Sequence, residues 1–318
     1  MTKSMSIVNE INIKKRTNLD KLVRKALLAI TIICSASVLL IGLFISMKGI
    51  EPFLKKYEIN GDTYQISFFR FITGDTWLKK PATYGAGFII LNTIYVSFLA
   101  LLIVTPLAIF SSLFIAKIAP KVIAKSLRTI IELLSGIPSV IFGLFGIGII
   151  VKIVDKLGNL LGIQTAGGLS TLSTALVLAC MIFPTITIIS IESIQAVNPN
   201  IELGSLALGA TKTQTNFKVV LKASKSGIFS GMILGIGRAL GEATAVSMVC
   251  GNSGAHFTFD LFSTTRTLTS TMLLGFHDTT GVDYDIRFSV GILLMAIIIL
   301  TNLSLNYVKN RIGNVHEK

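Results

Sequence analysis

Long apolar stretches separated by short polar ones dominate the pattern of this chain of 318 residues. An α-helix needs about 20 mostly apolar residues to cross the hydrocarbon core of a bilayer. Six stretches meet that length, over residues 26–47, 88–116, 127–151, 171–197, 226–250 and 289–307. The pattern therefore predicts an all-α integral membrane protein with about six transmembrane helices.

Prolines interrupt the third and fourth stretches, at Pro138 and Pro184. Membrane helices tolerate such breaks where neighbouring helices satisfy the freed backbone groups. The first stretch lies between Lys25 and Lys48. It is too long for the apolar core of a signal peptide, and no small-residue cleavage site follows it. We therefore expect it to be a retained anchor helix.

The polar stretches divide the chain into three parts. Residues 1–87 are expected to hold a cytoplasmic tail, the anchor helix and an outer loop. Residues 88–307 are expected to form a transmembrane domain of five helices, and residues 308–318 a second cytoplasmic tail. Within the first part, residues 48–87 form a polar stretch long enough to carry its own structure. The pattern leaves open whether this stretch lies along the membrane interface or forms a small cap.

Composition supports lipid as the main solvent of this chain. Hydrophobic residues make up 52% and charged residues 14%, against about 25% charged residues in average soluble proteins. The net charge is +13, but Lys and Arg lie in short runs between the apolar stretches. They do not form the basic stripe with interleaved aromatic residues that nucleic-acid modules show, so binding to nucleic acid is not expected.

The basic runs predict how the chain is oriented. Residues 1–25, 117–126, 198–225 and 308–318 carry 7, 3, 4 and 3 Lys or Arg, whereas residues 48–87, 152–170 and 251–288 carry 6, 2 and 2. Cytoplasmic loops carry the excess of Lys and Arg in membrane proteins. We therefore expect a multi-pass protein with both termini in the cytoplasm.

The fifth apolar stretch contains two ionisable residues near its middle, Arg238 and Glu242. On a continuous helix, which turns about 100° per residue, both would share a face about 80° wide with a row of glycines. Such rows of small residues allow membrane helices to approach closely. Gly227, Gly231 and Gly235 form this row, and Gly237 and Gly241 repeat its four-residue spacing; all five are predicted to serve helix packing.

This charged face is expected to contact protein or a water-filled path, because a charge at the bilayer centre costs about 2.5–3.5 kcal/mol. Two interpretations stay open. Arg238 and Glu242 neutralise each other at a packed interface, or they line a translocation pathway for a charged solute. An arginine suits an oxyanion because its planar fork donates two hydrogen bonds to one phosphate, and Glu242 would keep Arg238 from holding the anion too tightly.

No catalytic constellation is visible along the chain, since no nucleophile is paired with a base and no metal-ligand spacing occurs. No glycine is followed by lysine, so the chain contains no Walker-type phosphate loop. We therefore expect a transport subunit rather than an enzyme, with no cofactor and no metal bound by this chain.

The polar stretch 198–225 contains Gly209, with nine residues between it and Val219. This stretch resembles the coupling loop of the inner-membrane components of binding-protein-dependent ABC importers, which docks on an ATPase subunit. The family pattern is Glu-Ala-Ala, a glycine, nine residues and Ile-x-Leu-Pro. Here Glu202 lies one residue too far from the glycine, and Lys222 replaces the closing proline. The resemblance assigns the ATPase contact to Glu202, Leu206, Ala207, Gly209, Ala210, Thr211, Val219 and Leu221.

Three further motifs narrow the resemblance. GRALGE occupies residues 237–242 and is followed by MVCGN at 248–252, SGIPSV occupies 135–140, and FITG occupies 71–74. They are similar to motifs in the permease subunits of phosphate ABC importers, and closer to PstC than to PstA. The similarity extends over roughly residues 65–307.

The resemblance implies a type I (MetI-like) ABC importer permease in a bacterial cytoplasmic membrane. It implies three kinds of partner besides lipid: a second permease subunit (PstA-like), two ATPase subunits (PstB-like) that use the ATP, and an extracytoplasmic phosphate-binding protein (PstS-like). The implied function is import of inorganic phosphate by alternating access. Two alternatives stay open, a permease for another oxyanion such as sulfate or molybdate, and a proton-coupled secondary transporter with Glu242 as the proton carrier.

Overall fold

The computed structural model of the protein describes residues 2–59, 62–78, 83–254, 256–276 and 279–313. In chain order the elements are α1 (Thr2–Leu54), β1 (Tyr57–Ile59), β2 (Asp62–Tyr64), α2 (Phe68–Thr73), β3 (Trp77–Leu78), β4 (Thr83–Tyr84), α3 (Gly87–Leu113), α4 (Lys121–Ser135), α5 (Ser139–Phe145), α6 (Val151–Leu160), α7 (Thr171–Gln195), α8 (Pro199–Ala207), α9 (Lys212–Gln214), α10 (Leu221–Gly241), α11 (Thr244–Val249), α12 (Leu268–Leu273) and α13 (Val282–Gly313). One π-helical turn extends α3 at its C-terminal end, a second joins α5 to α6, and a third joins α9 to α10.

Within the described residues, five helices are long and apolar enough to cross a membrane, and a bent pair would make a sixth. The predicted spans 88–116 and 171–197 correspond to α3 and α7. The first and last spans are longer than predicted, at Asp20–Leu54 and Val282–Arg311. α13 therefore covers much of the predicted tail 308–318, of which residues 314–318 lie outside the described residues. The prediction of an all-α protein with about six membrane helices is confirmed.

The prediction of one helix over residues 127–151 is wrong. α4 and the helical stretch Ser139–Leu160 meet at an angle of 98°. The break lies at Pro138, where a missing N–H and a fixed φ prevent α4 from continuing, and α5 begins at the next residue. The second arm extends through α6 to Leu160, so residues 152–160 are helical rather than part of an outer loop.

The prediction of one helix over residues 226–250 is also wrong. α10 ends at Gly241, and Glu242 has extended backbone angles of φ −77° and ψ 118°. A new short helix, α11, begins at Thr244. The helix that carries Arg238 therefore ends at Glu242, and the predicted span does not continue as one helix beyond it.

α7 lies at the centre of the bundle and packs against both α3 and α10. The side chains of Leu178, Ile182 and Ile186 are almost entirely buried between these helices. Small residues on α3, such as Ala100 and Ala108, are equally buried and let the helices lie close together. This packing holds α10, which carries Arg238, against α7.

Glycines on α10 permit its close approach to α7. A Cβ at Gly227 would lie 2.1 Å from Oγ of Ser193, one at Gly231 would lie 3.3 Å from the carbonyl oxygen of Ile186, and one at Gly235 would lie 2.7 Å from Cγ1 of Ile186. Since real Cβ atoms essentially never approach closer than 3.0 Å, residues larger than glycine at the first and third positions would push the helices apart.

The other two glycines of the predicted packing row lie elsewhere. A Cβ at Gly237 would have Oδ1 of Asn302 on α13 as its nearest neighbour, at 3.8 Å. A Cβ at Gly241 would meet no atom within 4 Å. Gly237 therefore faces α13 rather than α7, and the packing role predicted for Gly241 finds no neighbour among the described residues.

The described part of the stretch 48–87 forms a small cap over one end of the bundle. It contains the antiparallel pairs β1–β2 and β3–β4 with α2 between them. Phe71, Trp77 and Tyr84 are buried in one cluster with Phe88 of α3 and Ile286 of α13. This apolar core resolves the choice between an interfacial segment and a cap in favour of the cap.

Candidate functional site

Arg238 lies one turn before the C-terminal end of α10 and is partly buried. Its Nη1 donates a hydrogen bond of 3.1 Å to Oγ1 of Thr185 on α7. Thr185 follows Pro184, which interrupts the hydrogen bonding of α7. The other N–H groups of this guanidinium have no bonded partner among the residues that the structure describes, so they are available to a ligand.

Glu242 is engaged with the helix that follows it. Its Oε1 accepts a 3.0 Å hydrogen bond from the backbone N–H of Ala245 in the first turn of α11, where a carboxylate is favoured by the unpaired N–H groups and the helix dipole. Its backbone carbonyl accepts a bond of 2.7 Å from Thr269. No ion pair joins Glu242 to Arg238 in the described structure, so the two side chains are not in direct contact.

Arg238 lines a groove of about 620 Å³ between α10 and α13. The residues that line this groove are Ser230, Ile233, Leu234, Gly237, Arg238, Ile298, Asn302, Asn306 and Lys309. Sequence reasoning missed the polar residues of α13 that face this groove. The signal was present, since Asn302, Asn306 and Lys309 recur at helical spacing in and after the last apolar stretch.

The predicted coupling loop, residues 198–225, folds into two helical stretches with a turn between them. α8 begins beside Asn198, whose side chain accepts from the backbone N–H of Asn200, and ends at Ala207. Gly209 has φ +87°, a conformation that glycine adopts readily and other residues rarely do. Thr211 then caps α9, which continues through a π-helical turn into α10. A displacement of this loop would therefore act directly on the helix that carries Arg238.

The predicted ATPase-contact residues differ in exposure. Leu206, Ala207, Gly209 and Thr211 are exposed, whereas Ala210, Val219 and Leu221 are partly buried within the chain. Sequence reasoning missed other exposed apolar side chains on the same loop. Leu208 is 90% exposed and Leu203 is 61% exposed.

Glu202 is turned toward its own chain. Its carboxylate accepts a hydrogen bond from Nζ of Lys117, in the π-helical turn that ends α3, and both side chains are largely buried. The ATPase contact predicted for Glu202 stays a prediction, and within the chain its carboxylate is engaged by Lys117. The ion pair joins the coupling loop to the end of α3.

Two arginines at the capped end of the bundle were not singled out from the sequence. Arg266 lies 5.3 Å from the ring centre of Trp77 and donates from Nε to Oγ1 of Thr271 at 2.9 Å. Arg287 donates from Nη1 to the carbonyl of Thr271. Burial lowers the pKa of Arg266 to about 10, and the nearby charge of Arg287 acts in the same direction. These contacts tie the cap to α12 and α13.

Residues 105–314 match the family described as the binding-protein-dependent transport system inner membrane component. The chain belongs to this family. The matched range contains Arg238, the groove beside it and the coupling loop. The chain is thus the permease component of an ABC importer, a multi-pass inner-membrane protein that is not itself an enzyme.

Similar proteins cover most of this permease. The probable ABC transporter permease protein YqgH of Bacillus subtilis is 34% identical over 91% of this chain and 90% of its own length. The phosphate transport system permease protein PstC of Pasteurella multocida is 31% identical over 74% of this chain and 78% of its own. The probable PstC of Methanocaldococcus jannaschii is 30% identical over 91% of this chain and 95% of its own.

Solved structures support the fold of this permease. A chain of a bacterial alginate ABC transporter, solved in complex with an alginate-bound periplasmic protein, superposes with a TM-score of 0.60. The alignment covers 92% of this chain and 97% of that chain at 18% sequence identity. Since the identity is low, this likeness supports the type I ABC permease bundle and carries no information about substrate.

Proposed function

We propose that this permease subunit carries inorganic phosphate inward by alternating access. The observation that supports this most directly is the guanidinium of Arg238, which is held by Thr185 and lies in a groove without a neutralising carboxylate. The PstC proteins to which the chain is 30–31% identical are named for phosphate transport, and that substrate is carried over here as part of the proposal.

The chemistry of the site fits an oxyanion. A guanidinium offers five N–H donors in a fixed planar fork, and one of them is used by Thr185. The remaining donors match the geometry of a phosphate, which accepts two parallel hydrogen bonds from arginine. In this proposal the Glu242 carboxylate, four residues further along the chain, lowers the positive potential around Arg238. The anion can then dissociate from the guanidinium.

The proposed assembly contains a PstA-like second permease, two PstB-like ATPase subunits and a PstS-like phosphate-binding protein. Both termini lie in the cytoplasm in this proposal, so the cap and residues 251–288 face outward and receive the loaded binding protein. ATP closes the two ATPase subunits against the loop 198–225. Because that loop is continuous with α10, its movement shifts the populations of the outward-open and inward-open states.

One feature of the site favours ATP-driven import over a proton-coupled carrier. A proton carrier needs a carboxylate that exchanges protons, whereas the Glu242 carboxylate accepts a hydrogen bond from Ala245 and completes the first turn of α11. The Glu242 side chain thus serves as a structural contact at the start of α11, which favours the ATP-driven mechanism.

The proposal is tested by radiolabelled phosphate uptake in cells that lack this chain and receive it back. We expect uptake that excess sulfate or molybdate does not reduce, and that stops when the partner ATPase carries an inactivating substitution. Uptake abolished by sulfate or molybdate would assign the permease to another oxyanion. Uptake that persists without ATP hydrolysis and collapses with an uncoupler would contradict the ATP-driven mechanism.

A further inference from the structure

The groove beside Arg238 is polar along one wall, although it lies between two apolar membrane helices. On α13 that wall is formed by Asn302, Asn306 and Lys309. A helix turns about 100° per residue, so these three side chains lie within about 60° of one another, and seven residues span about 10.5 Å along the axis. The wall therefore continues from the level of Arg238 toward the C-terminal end of α13.

The polar side chains of this wall have no bonded partner in the part of the chain that the structure describes. The amides of Asn302 and Asn306 and the ammonium of Lys309 form no side-chain hydrogen bond or ion pair with any described residue. Asn306 is exposed, and Asn302 and Lys309 are partly buried. Polar groups in an apolar membrane segment are costly unless they find partners, so these side chains are open to water, a ligand or another chain.

The charges decide which ligand fits. The groove contains two cations, Arg238 and Lys309, and no acidic side chain is among the residues that line it. Asparagine amides between the cations donate hydrogen bonds without adding charge. Opposite this wall, a Cβ at Gly237 would lie in van der Waals contact with Oδ1 of Asn302, at 3.8 Å, so even an alanine there would narrow the groove. The groove thus has the shape and the donors of an oxyanion path.

We propose that this groove is the cytoplasmic leg of the anion pathway, in which a phosphate oxyanion passes from Arg238 along Asn302 and Asn306 to Lys309. The proposal rests on the proposed function and on its orientation. Lys309 is a second cationic contact that draws the anion off Arg238 after the permease opens inward. The same phosphate chemistry is offered by lipid headgroups, and the experiments below separate the two sources.

The first experiment measures phosphate uptake by the full complex with Lys309→Gln, Lys309→Arg and Arg311→Gln. Arg311 is exposed and does not line the groove, so Arg311→Gln removes the same charge two residues away. We expect Lys309→Gln to lower the maximal uptake rate about tenfold, the size expected for one lost hydrogen bond between charged groups. The external phosphate concentration for half-maximal uptake stays unchanged, and Lys309→Arg and Arg311→Gln keep at least half of the wild-type rate. Equal losses of uptake rate in Lys309→Gln and Arg311→Gln would overturn the proposal. They would mean that Lys309 acts only as a positive charge that anchors the helix end at the membrane surface.

The second experiment measures access to the groove. Asn306→Cys is introduced together with Cys34→Ser and Cys180→Ser, which remove the two exposed cysteines, and the complex is reconstituted in vesicles. We expect a negatively charged thiol reagent to modify Asn306→Cys from the cytoplasmic side at least about tenfold faster than a positively charged one of similar size. Inorganic phosphate slows the modification, whereas Asn310→Cys, the matched control, is modified at a rate that phosphate does not change.

The outcomes separate the possible occupants of the groove. Rates of thiol modification that change with the content of anionic lipid and not with free phosphate would overturn the proposal in favour of a lipid headgroup. A disulfide between Asn306→Cys and the second permease subunit, with no access to either reagent, would overturn it in favour of an interface between chains. Protection by sulfate instead of phosphate would retain the oxyanion path while contradicting the phosphate substrate, so the two proposals fail separately.

Discussion

Arg238 and Thr185 are joined by a hydrogen bond of 3.1 Å between Nη1 and Oγ1, which connects α10 to the central helix α7. Thr185 directly follows Pro184. This bond fixes the direction of the guanidinium fork, and with it the donors left for an anion. Thr185 is therefore a positioning residue for Arg238.

Replacing Thr185 by valine should slow transport without unfolding the permease. Thr185→Val keeps the shape of the side chain and removes the hydroxyl, and a hydrogen bond to a charged group is worth about 1.5–3 kcal/mol. We expect phosphate uptake to fall about tenfold or more at normal membrane levels. Thr185→Ser restores the hydroxyl and should recover most of the rate. Equal loss in both variants would contradict the positioning role.

Gly227 and Gly241 should respond differently to alanine. The added Cβ of Gly227→Ala would overlap Ser193, whereas that of Gly241→Ala would meet no atom within 4 Å. Overpacking a tight contact costs about 1–3 kcal/mol, so Gly227→Ala should lower the thermal midpoint of the purified complex by several degrees. Gly241→Ala should leave it unchanged. A similar shift for both variants would mean that the glycine row is not what brings α10 to α7.

Breaking the ion pair between Lys117 and Glu202 should uncouple ATP hydrolysis from transport. This pair joins the coupling loop to the end of α3, so removing either charge frees the loop to move without the helix. We expect Lys117→Ala and Glu202→Ala each to reduce the phosphate imported per ATP hydrolysed. Pairs in direct contact show coupling energies of about 0.5–3 kcal/mol. The double reversal Lys117→Glu with Glu202→Lys should recover part of the ratio, and additive losses would contradict a direct role for the pair.

The exposed leucine at the end of α8 should contribute to ATPase docking. Leu208 is 90% exposed in the isolated chain, and a large apolar side chain on a coupling loop fits a partner groove. We expect Leu208→Asp to reduce the amount of ATPase subunit that copurifies with the permease. Leu160→Asp is the control, because Leu160 is 82% exposed at the end of another helix. Equal copurification in the two variants would remove Leu208 from the interface.

The membrane helices were predictable because apolar length is a strong and local signal. The bounds of α3 and α7 follow the hydropathy of the sequence closely. The two breaks were not located because hydropathy continues across them. Pro138 bends its span by 98°, whereas the break at Glu242 occurs where its carboxylate caps α11, a contact that only the folded chain reveals.

The candidate site was predicted in part. Arg238 stood out because an ionisable residue in an apolar stretch is costly. Mutual neutralisation with Glu242 was one of two open interpretations, and in the structure the Glu242 carboxylate instead accepts a hydrogen bond from Ala245. The structure alone reveals that α13 lies against α10, so that one groove is lined by Asn302, Asn306 and Lys309. Contacts between helices distant in the sequence cannot be derived from local periodicity.

The central claim, that Arg238 handles the transported anion, is tested most directly by ATP-driven phosphate uptake in vesicles containing the complete complex. Wild type is compared with Arg238→Ala and Arg238→Lys at equal assembly, and ATP hydrolysis stimulated by the binding protein is measured in parallel. We predict that both variants hydrolyse ATP and that uptake falls at least about tenfold, because neither alanine nor lysine supplies the planar fork. Uptake at the wild-type rate in Arg238→Ala would contradict the account.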